Sequence, residues 1–240
     1  MEKFLLGKPL VVFIGAMGSG KTEVALNYAT CWAREEARVV HLADLDVRKP
    51  YFRSRDLIAQ MKAVNVHVVS TPEAITGVDF PGLSPKMESL FRMEDPLVVD
   101  AGGDTDGARI LGRFREYFAA RGAEVLFVIN QSRMGSRSVD EIAETVREIA
   151  AACRTRITGL VNNTHLMWES SFIGVKEGEA LVRKVSEKLG LPIVFHSMLK
   201  HLALEADGIF PEPILPLDVR IGPEWFYEMY QEVNNAHRQV

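Results

Sequence analysis

Eight residues near the start of the chain, Gly15-Ala-Met-Gly-Ser-Gly20-Lys21-Thr22, match GxxxxGK[ST], a pattern whose chemistry is phosphate binding. Glycines let successive backbone N–H groups turn inward around a β-phosphate, and the start of a following helix adds partial positive charge. Lys21 is placed to reach the β- and γ-phosphate oxygens, and the Thr22 hydroxyl to meet Mg2+. An apolar strand, "PLVVFIG", precedes the pattern and a helical run follows it, which is the context the motif needs. Gly15, Ala16, Met17, Gly18, Ser19, Gly20, Lys21, Thr22 and Glu23 are therefore the candidate nucleotide-binding residues of this stretch.

Phosphate chemistry with Mg2+ also needs a carboxylate at the end of a neighbouring strand. "PLVVDAGGDTDG" supplies Asp100 after four apolar or β-branched positions, then Gly103, whose N–H can meet a γ-phosphate and pivot when it leaves. Asp104 and Asp106 follow, and serve either metal and water or simply the turn and helix cap. A second acidic pair, Asp44 and Asp46, closes "RVVHLADLD". The two point the same way if the strand continues, and can then order a metal shell and an attacking water. Asp46 capping the next turn is the alternative. Thr22, Asp44, Asp46 and Asp100 are the candidate metal residues, and Lys21 and Asp46 the candidate catalytic ones. Arg48, Lys49, Arg53 and Arg55 in "RKPYFRSRD" either serve phosphate or solvate a loop.

These residues must be held by regular elements, and the sequence supplies them in alternation. Short runs over 9–15, 38–44, 65–70, 96–101, 124–130, 156–162 and 191–196 are apolar on both faces, as strands covered by helices are. Helical patterns lie at about 20–36, 84–93, 107–121, 137–152 and 176–189, with Ser136 or Ser138 available to cap the fourth. The alternation predicts an α/β fold: a three-layer, doubly wound, mainly parallel sheet with helices on both faces, in a single domain over 1–240. "FPEPILPLD" (210–218) reads as a loop or extended segment, with a last helix from about Pro223. Trp225, Phe226, Tyr227 and Tyr230 in that helix dock it on the body or on a partner.

Bulk composition narrows the classes. In 240 residues, 28 basic against 32 acidic side chains leave a charge of −4, with no general pull towards nucleic acid or anionic membrane. Cys31 and Cys153 stand alone in apolar helical runs, which argues for reduced, buried thiols and against a disulfide framework. The opening residues are too short for a signal peptide, and no run suits a bilayer, so the expected location is cytoplasmic with no membrane span.

Together these motifs resemble the MinD/ParA-type branch of P-loop NTPases, of the CobQ/CobB/MinD/ParA nucleotide-binding domain family. The matching points are the phosphate loop after the first strand, D-x-D after the second, and "VVDAGG". "GLVNNT" and "LPLD" (215–218) are two more. The resemblance implies that Asp46 orients water, Asp100 is the Walker B carboxylate and Gly103 the switch glycine. Asn163 would read the base with Asn162 beside it, and "LPLD" would pack over the base. The family's second lysine, which reaches into a partner's nucleotide, is replaced here by Ala16, so the homodimer the resemblance implies lacks that charge. Arg48, Arg53 and Arg133 are available to supply one.

Guanine-specific relatives carry N-K-x-D, and Asn162-Asn163-Thr164-His165 has neither the lysine nor the aspartate. ATP with Mg2+ is the expected cofactor set, and a Mg2+-dependent ATPase switch or maturation factor with an unnamed protein partner the expected function. A small-molecule kinase using Arg133 and Arg137 as a lid, a GTP-dependent metallochaperone, and a nucleotide-gated binding module are the alternatives. His165, Trp168 and Phe172 read as a loop anchored by aromatics, and His196 and His201 show no metal spacing.

Overall fold

The computed structural model describes residues 6–46, 55–70, 85–103, 105–134 and 138–221. Eight strands form one sheet: β1 (Leu10–Ile14), β2 (Val40–Asp44), β3 (Val66–Ser70), β4 (Leu97–Asp100), β5 (Glu124–Ile129), β6 (Gly159–Asn162), β7 (Ile193–Leu199) and β8 (Ile214–Leu217). Their order is β3-β2-β4-β1-β5-β6-β7-β8, and every pairing is parallel. Parallel neighbours demand crossovers, which the helices supply: α1 (Lys21–Glu36), α2 (Arg55–Ala63), α3 (Pro85–Arg92), α4 (Thr105–Leu111), α5 (Arg115–Ala120), α6 (Gln131–Met134), α7 (Val139–Cys153), α8 (Phe172–Leu189) and α9 (Lys200–Glu205).

Alternation along β1 shows why the sheet is covered twice. Val11 and Phe13 enter a core with Val24, Tyr28 and Trp32 of α1, whereas Leu10, Val12 and Ile14 enter another. That second core holds Phe91 of α3, Ile142 and Val146 of α7, and Val182 of α8. All five β1 side chains are fully buried, so the strand reads as a continuous apolar run. Phe91 stacks on Phe114 at 3.9 Å between centroids, and Phe13 meets Tyr28 edge-on at 5.4 Å.

The expected α/β class and parallel sheet are what the structure shows, with differences in detail. β8 arises inside the Pro-rich stretch read as a loop or extended segment; it is an edge strand, where Pro216 removes no needed ladder donor. α2, α6 and α9 are additional helices. The helix expected over 107–121 is broken into α4, a single 3-10 turn at Gly112–Phe114 and α5. α8 begins four residues earlier than expected, because Ser171 caps it by accepting from the Gly174 N–H. Ser138 caps α7 in a reciprocal box with Glu141. The final helix and its aromatic residues lie outside the described residues, as do Asp104, Arg48, Lys49, Arg53, Ser136 and Arg137.

The chain runs outward from β1 to β2 and β3, returns through β4, then crosses to β5 and beyond. Strand order therefore reverses at β1, and the crevice at its C-terminal end is where such sheets take ligands.

Candidate phosphate-binding site

The phosphate loop fills that crevice. Between Ile14 and Lys21 the chain turns through two left-handed glycines, Gly18 (φ 81°) and Gly20 (φ 80°), the latter capping α1. Ser19 N–H donates to the Ala16 carbonyl at 3.1 Å and closes the turn. A Cβ on Gly15 would lie 2.5 Å from the Val128 carbonyl oxygen, so the loop passes too close to β5 for any side chain there. Met17 stands exposed at the tip, and Lys21, Thr22 and Glu23 open α1 with its N-terminal N–H groups directed at the crevice.

Two strand ends bring the acids alongside. Asp44 and Asp100 are register partners on β2 and β4, both buried. Asp44 Oδ1 accepts from the Asp46 N–H at 2.9 Å, so Asp44 itself caps the turn and directs Asp46 back towards the loop. Asp46 Oδ2 then lies 3.7 Å from Lys21 Nζ, with little of either side chain exposed. Burial raises the Asp100 carboxyl to about 6, against the pull of the Lys21 ammonium and the Thr22 hydroxyl. Neither Asp100 oxygen has a well-formed hydrogen bond. Gly103 packs where a Cβ would be 3.0 Å from both Lys21 Nζ and Met17 N, so a side chain there would crowd the lysine and the loop backbone.

This donor set fits Mg2+. The ion takes one or two carboxylates plus substrate phosphates and keeps several waters. Asp100 with two orphaned, buried oxygens, Asp44 beside it and the Thr22 hydroxyl supply those ligands. Among the described residues no cluster of three or more His, Cys, Asp or Glu side chains is placed to hold a metal ion.

The β6 end supports the loop from the other side. Asn163 Nδ2 donates to the Ser19 carbonyl at 2.7 Å, and its Oδ1 accepts from Ser197 Oγ at 2.8 Å. Its side chain is fully buried, with the carboxamide held between the phosphate loop and β7. A Cβ on Gly20 would lie 2.4 Å from the same Nδ2. Asn162 sits on the opposite sheet face, accepting from the Thr164 N–H and hydroxyl at 3.2 and 2.7 Å. Next in the turn, His165 is buried beneath Gly20; burial first, then Arg133, lowers its pKa to about 4, so the ring is neutral. Ser197, Thr164 and His165 were not singled out for this support by sequence, since no spacing relates β7 to a loop so far away.

Glu23 is likewise committed to the protein. Its carboxylate accepts from the Arg220 and Ile221 N–H groups at 2.6 and 3.1 Å, while Asn27 exchanges two hydrogen bonds with the Asp218 backbone. Burial lifts the Glu23 carboxyl to about 8 against those amides. The segment after β8 is thereby fastened to the first turns of α1, with Lys200 bridging to Asp218. The Glu23 side chain faces this segment, leaving its backbone as the part that can meet a nucleotide.

Among the described residues no helix is long and apolar enough to cross a membrane. Of the expected site, the structure brings together Gly15 to Thr22, Asp44, Asp46, Asp100 and Gly103 at one crevice, and places Asn163 as their brace. Arg133 is exposed on α6.

No protein-family model matches the sequence, and no curated protein matches it. Solved structures do match the fold. The cell division protein ftsY of Thermotoga maritima superposes with a TM-score of 0.55 at 20% identity, over 82% of this chain and 64% of that one. Chloroplast FtsY of Physcomitrella patens gives 0.53 at 18% identity, over 80% and 59%. The signal recognition particle receptor FtsY of Elizabethkingia anophelis gives 0.51 at 18%, over 79% and 59%, and a similar match was solved in complex with GDP. This chain thus spans less than two thirds of those proteins, and at such identities the likeness is one of architecture. In this chain that architecture is an all-parallel eight-stranded α/β sheet, with the glycine-rich loop leaving its central strand β1.

Proposed function

We propose that this protein binds a Mg2+–nucleoside triphosphate and hydrolyses its β–γ bond, using the cycle as a conformational switch. The observation that carries the reading is Lys21 at the start of α1, ion-paired with Asp46 in a buried crevice next to the Asp44–Asp100 pair. A γ-phosphate entering the loop competes for the Lys21 ammonium. Asp46 is then released to orient the attacking water, while Lys21 and the loop N–H groups take up developing charge. Thr22 and Asp100, with Asp44 in support, would hold Mg2+, which would supply further neutralisation of phosphate charge. Gly103, packed against Lys21 Nζ, is the backbone point at which loss of the γ-phosphate is transmitted.

The resemblance to MinD/ParA-type enzymes supports this switch reading and a nucleotide-dependent homodimer, with Ala16 in place of the usual trans-acting lysine. ATP is the nucleotide we favour, because no carboxylate in Asn162–His165 is present to accept from guanine. GTP is the second reading. The fold's likeness to a GDP-bound FtsY favours it, and so does the commitment of the Asn163 carboxamide to Ser19 and Ser197.

The deciding experiment is phosphate release from Mg2+–ATP and Mg2+–GTP by the purified chain, with particle size measured under each. Lys21→Ala should weaken triphosphate binding by about two orders of magnitude, as expected for losing a buried charge-assisted contact. Unchanged affinity in that variant would remove the assignment. Release that requires an added metabolite acceptor would point to a kinase instead.

A further inference from the structure

β6 and β7 place two polar pairs back to back where they meet the phosphate loop. Asn163 and Ser197 bond on the face towards α1. On the other face the register partners Asn162 and His196 bond, Asn162 Nδ2 to His196 Nδ1 at 3.1 Å. The protonation state of this second pair follows from its neighbours. Asn162 Oδ1 already accepts twice from Thr164, so its Nδ2 must be what faces the ring. An amide N–H donates, hence Nδ1 accepts and the ring proton sits on Nε2. There Glu212 Oε2 takes it at 3.1 Å. Arg183 grips both Glu212 oxygens at 3.0 and 2.9 Å, and Phe210 lies against the ring at 4.5 Å. His196 is fully buried. One chain of bonds therefore runs from Arg183 on α8 to the turn that carries Asn163, the brace on Ser19 of the phosphate loop.

We propose that His196 is a positioning residue for the nucleotide site: held neutral between Glu212 and Asn162, it fixes the Asn162–Thr164 turn and through Asn163 the shape of the phosphate loop. The role rests on the nucleotide-binding reading above. It also makes the site sensitive to protonation. A proton on Nδ1 would face the Asn162 amino group, donor against donor. Turning the carboxamide over relieves that clash only by presenting the same amino group to the Thr164 N–H. Either way a buried bond of the turn is lost. The charged groups around His196 are Glu212 from the segment before β8 and Glu179 and Arg183 from α8, while β6 contributes the neutral Asn162. Burial lowers the His196 pKa, and Glu212 offsets part of that. The ring is accordingly neutral at neutral pH and takes its proton only under acid conditions.

Two replacements separate positioning from bulk. Gln at this position can accept from Asn162 and donate to Glu212 but cannot take a proton; Leu fills space and does neither. His196→Gln should bind fluorescent ATP and GTP analogues within about twofold of wild type, and His196→Leu on the order of tenfold more weakly. On lowering pH from 7 to 4, well below the ordinary histidine value, wild-type affinity should fall relative to that of His196→Gln. A constant ratio across that range, or full affinity in His196→Leu, overturns the proposal. Hydrogen exchange on the nucleotide-free full chain provides a readout that needs no ligand. His196→Leu should speed exchange at 19–22 and 163–164 and leave the N-terminal halves of β1 and β4 unchanged, with His196→Gln at wild-type rates. Exchange that rises evenly through the chain, or not at all, also overturns it. If wild type binds neither nucleotide, the functional reading has failed, and the exchange pattern still decides the role of His196.

Discussion

Lys21 Nζ lies 3.7 Å from Asp46 Oδ2, with both side chains nearly sealed from solvent. The pair joins the end of the phosphate loop to the turn after β2. A buried cation left without its partner is costly, so the pair holds the turn against the loop.

Asp46→Asn should therefore divide binding from turnover. Losing the carboxylate frees Lys21 for phosphate, so triphosphate affinity should hold or rise. Hydrolysis should fall by about 10²–10⁴, the usual worth of a positioned proton acceptor. Single-turnover phosphate release beside equilibrium binding makes the comparison, and wild-type turnover would remove Asp46 from the mechanism.

The Asn163 brace should show as coupling. Asn163→Ala strands the Ser19 carbonyl and the Ser197 hydroxyl, each worth about 1–3 kcal/mol when left buried and unpaired. Ser197→Ala alone should cost about 1 kcal/mol. Urea unfolding of the two single variants and the double variant should give a coupling of roughly 0.5–3 kcal/mol, and strict additivity would contradict the shared bond.

Glu23 sets a pH dependence of stability. Its carboxyl is raised in the fold to about 8 from the ordinary 4.5, so the folded chain holds a proton that the unfolded chain gives up between those values. The stability this confers is fully present below pH 4.5 and is lost as pH rises through about 8. Glu23→Gln should flatten that part of the profile, measured as the urea midpoint from pH 5 to 9. A profile with unchanged slope in the variant would show that the carboxyl titrates elsewhere.

Gly15 tests packing instead of charge. A methyl group there would meet the Val128 carbonyl oxygen at 2.5 Å, a backbone atom that cannot swing aside. Gly15→Ala should cost about 1–3 kcal/mol and displace the loop from β5. Chemical denaturation and nucleotide titration should both register it.

The layered fold was readable because each central strand is apolar on both faces, and β1, with five buried side chains in a row, is the clearest case. The phosphate loop and the acids of β2 and β4 were readable because their chemistry depends on local spacing. β8 was harder to see, since Pro216 argues against a strand unless its edge position is known. The direction of the Asn163 side chain was not legible at all. Asn163 and Ser19 are 144 positions apart, and only the sheet order shows that β6 ends behind the loop. Glu23 was misleading for a related reason: adjacency to Thr22 suggests a ligand contact, whereas helix geometry carries its side chain around to the segment after β8.

The strand order also has a consequence for how the molecule comes into being. β1 is made first, yet its two neighbours are β4 and β5, and the loop that follows it is not braced until Ser197 has been joined to the chain. During synthesis from the N-terminus, the phosphate-binding residues leave the ribosome long before the strands that shape them. Pairings this distant in sequence form slowly, because the intervening chain must be closed before any contact rewards it. A nascent chain stopped before β7 would carry the whole motif and lack the clamp beneath it, so competence to hold nucleotide should wait for the synthesis of β7.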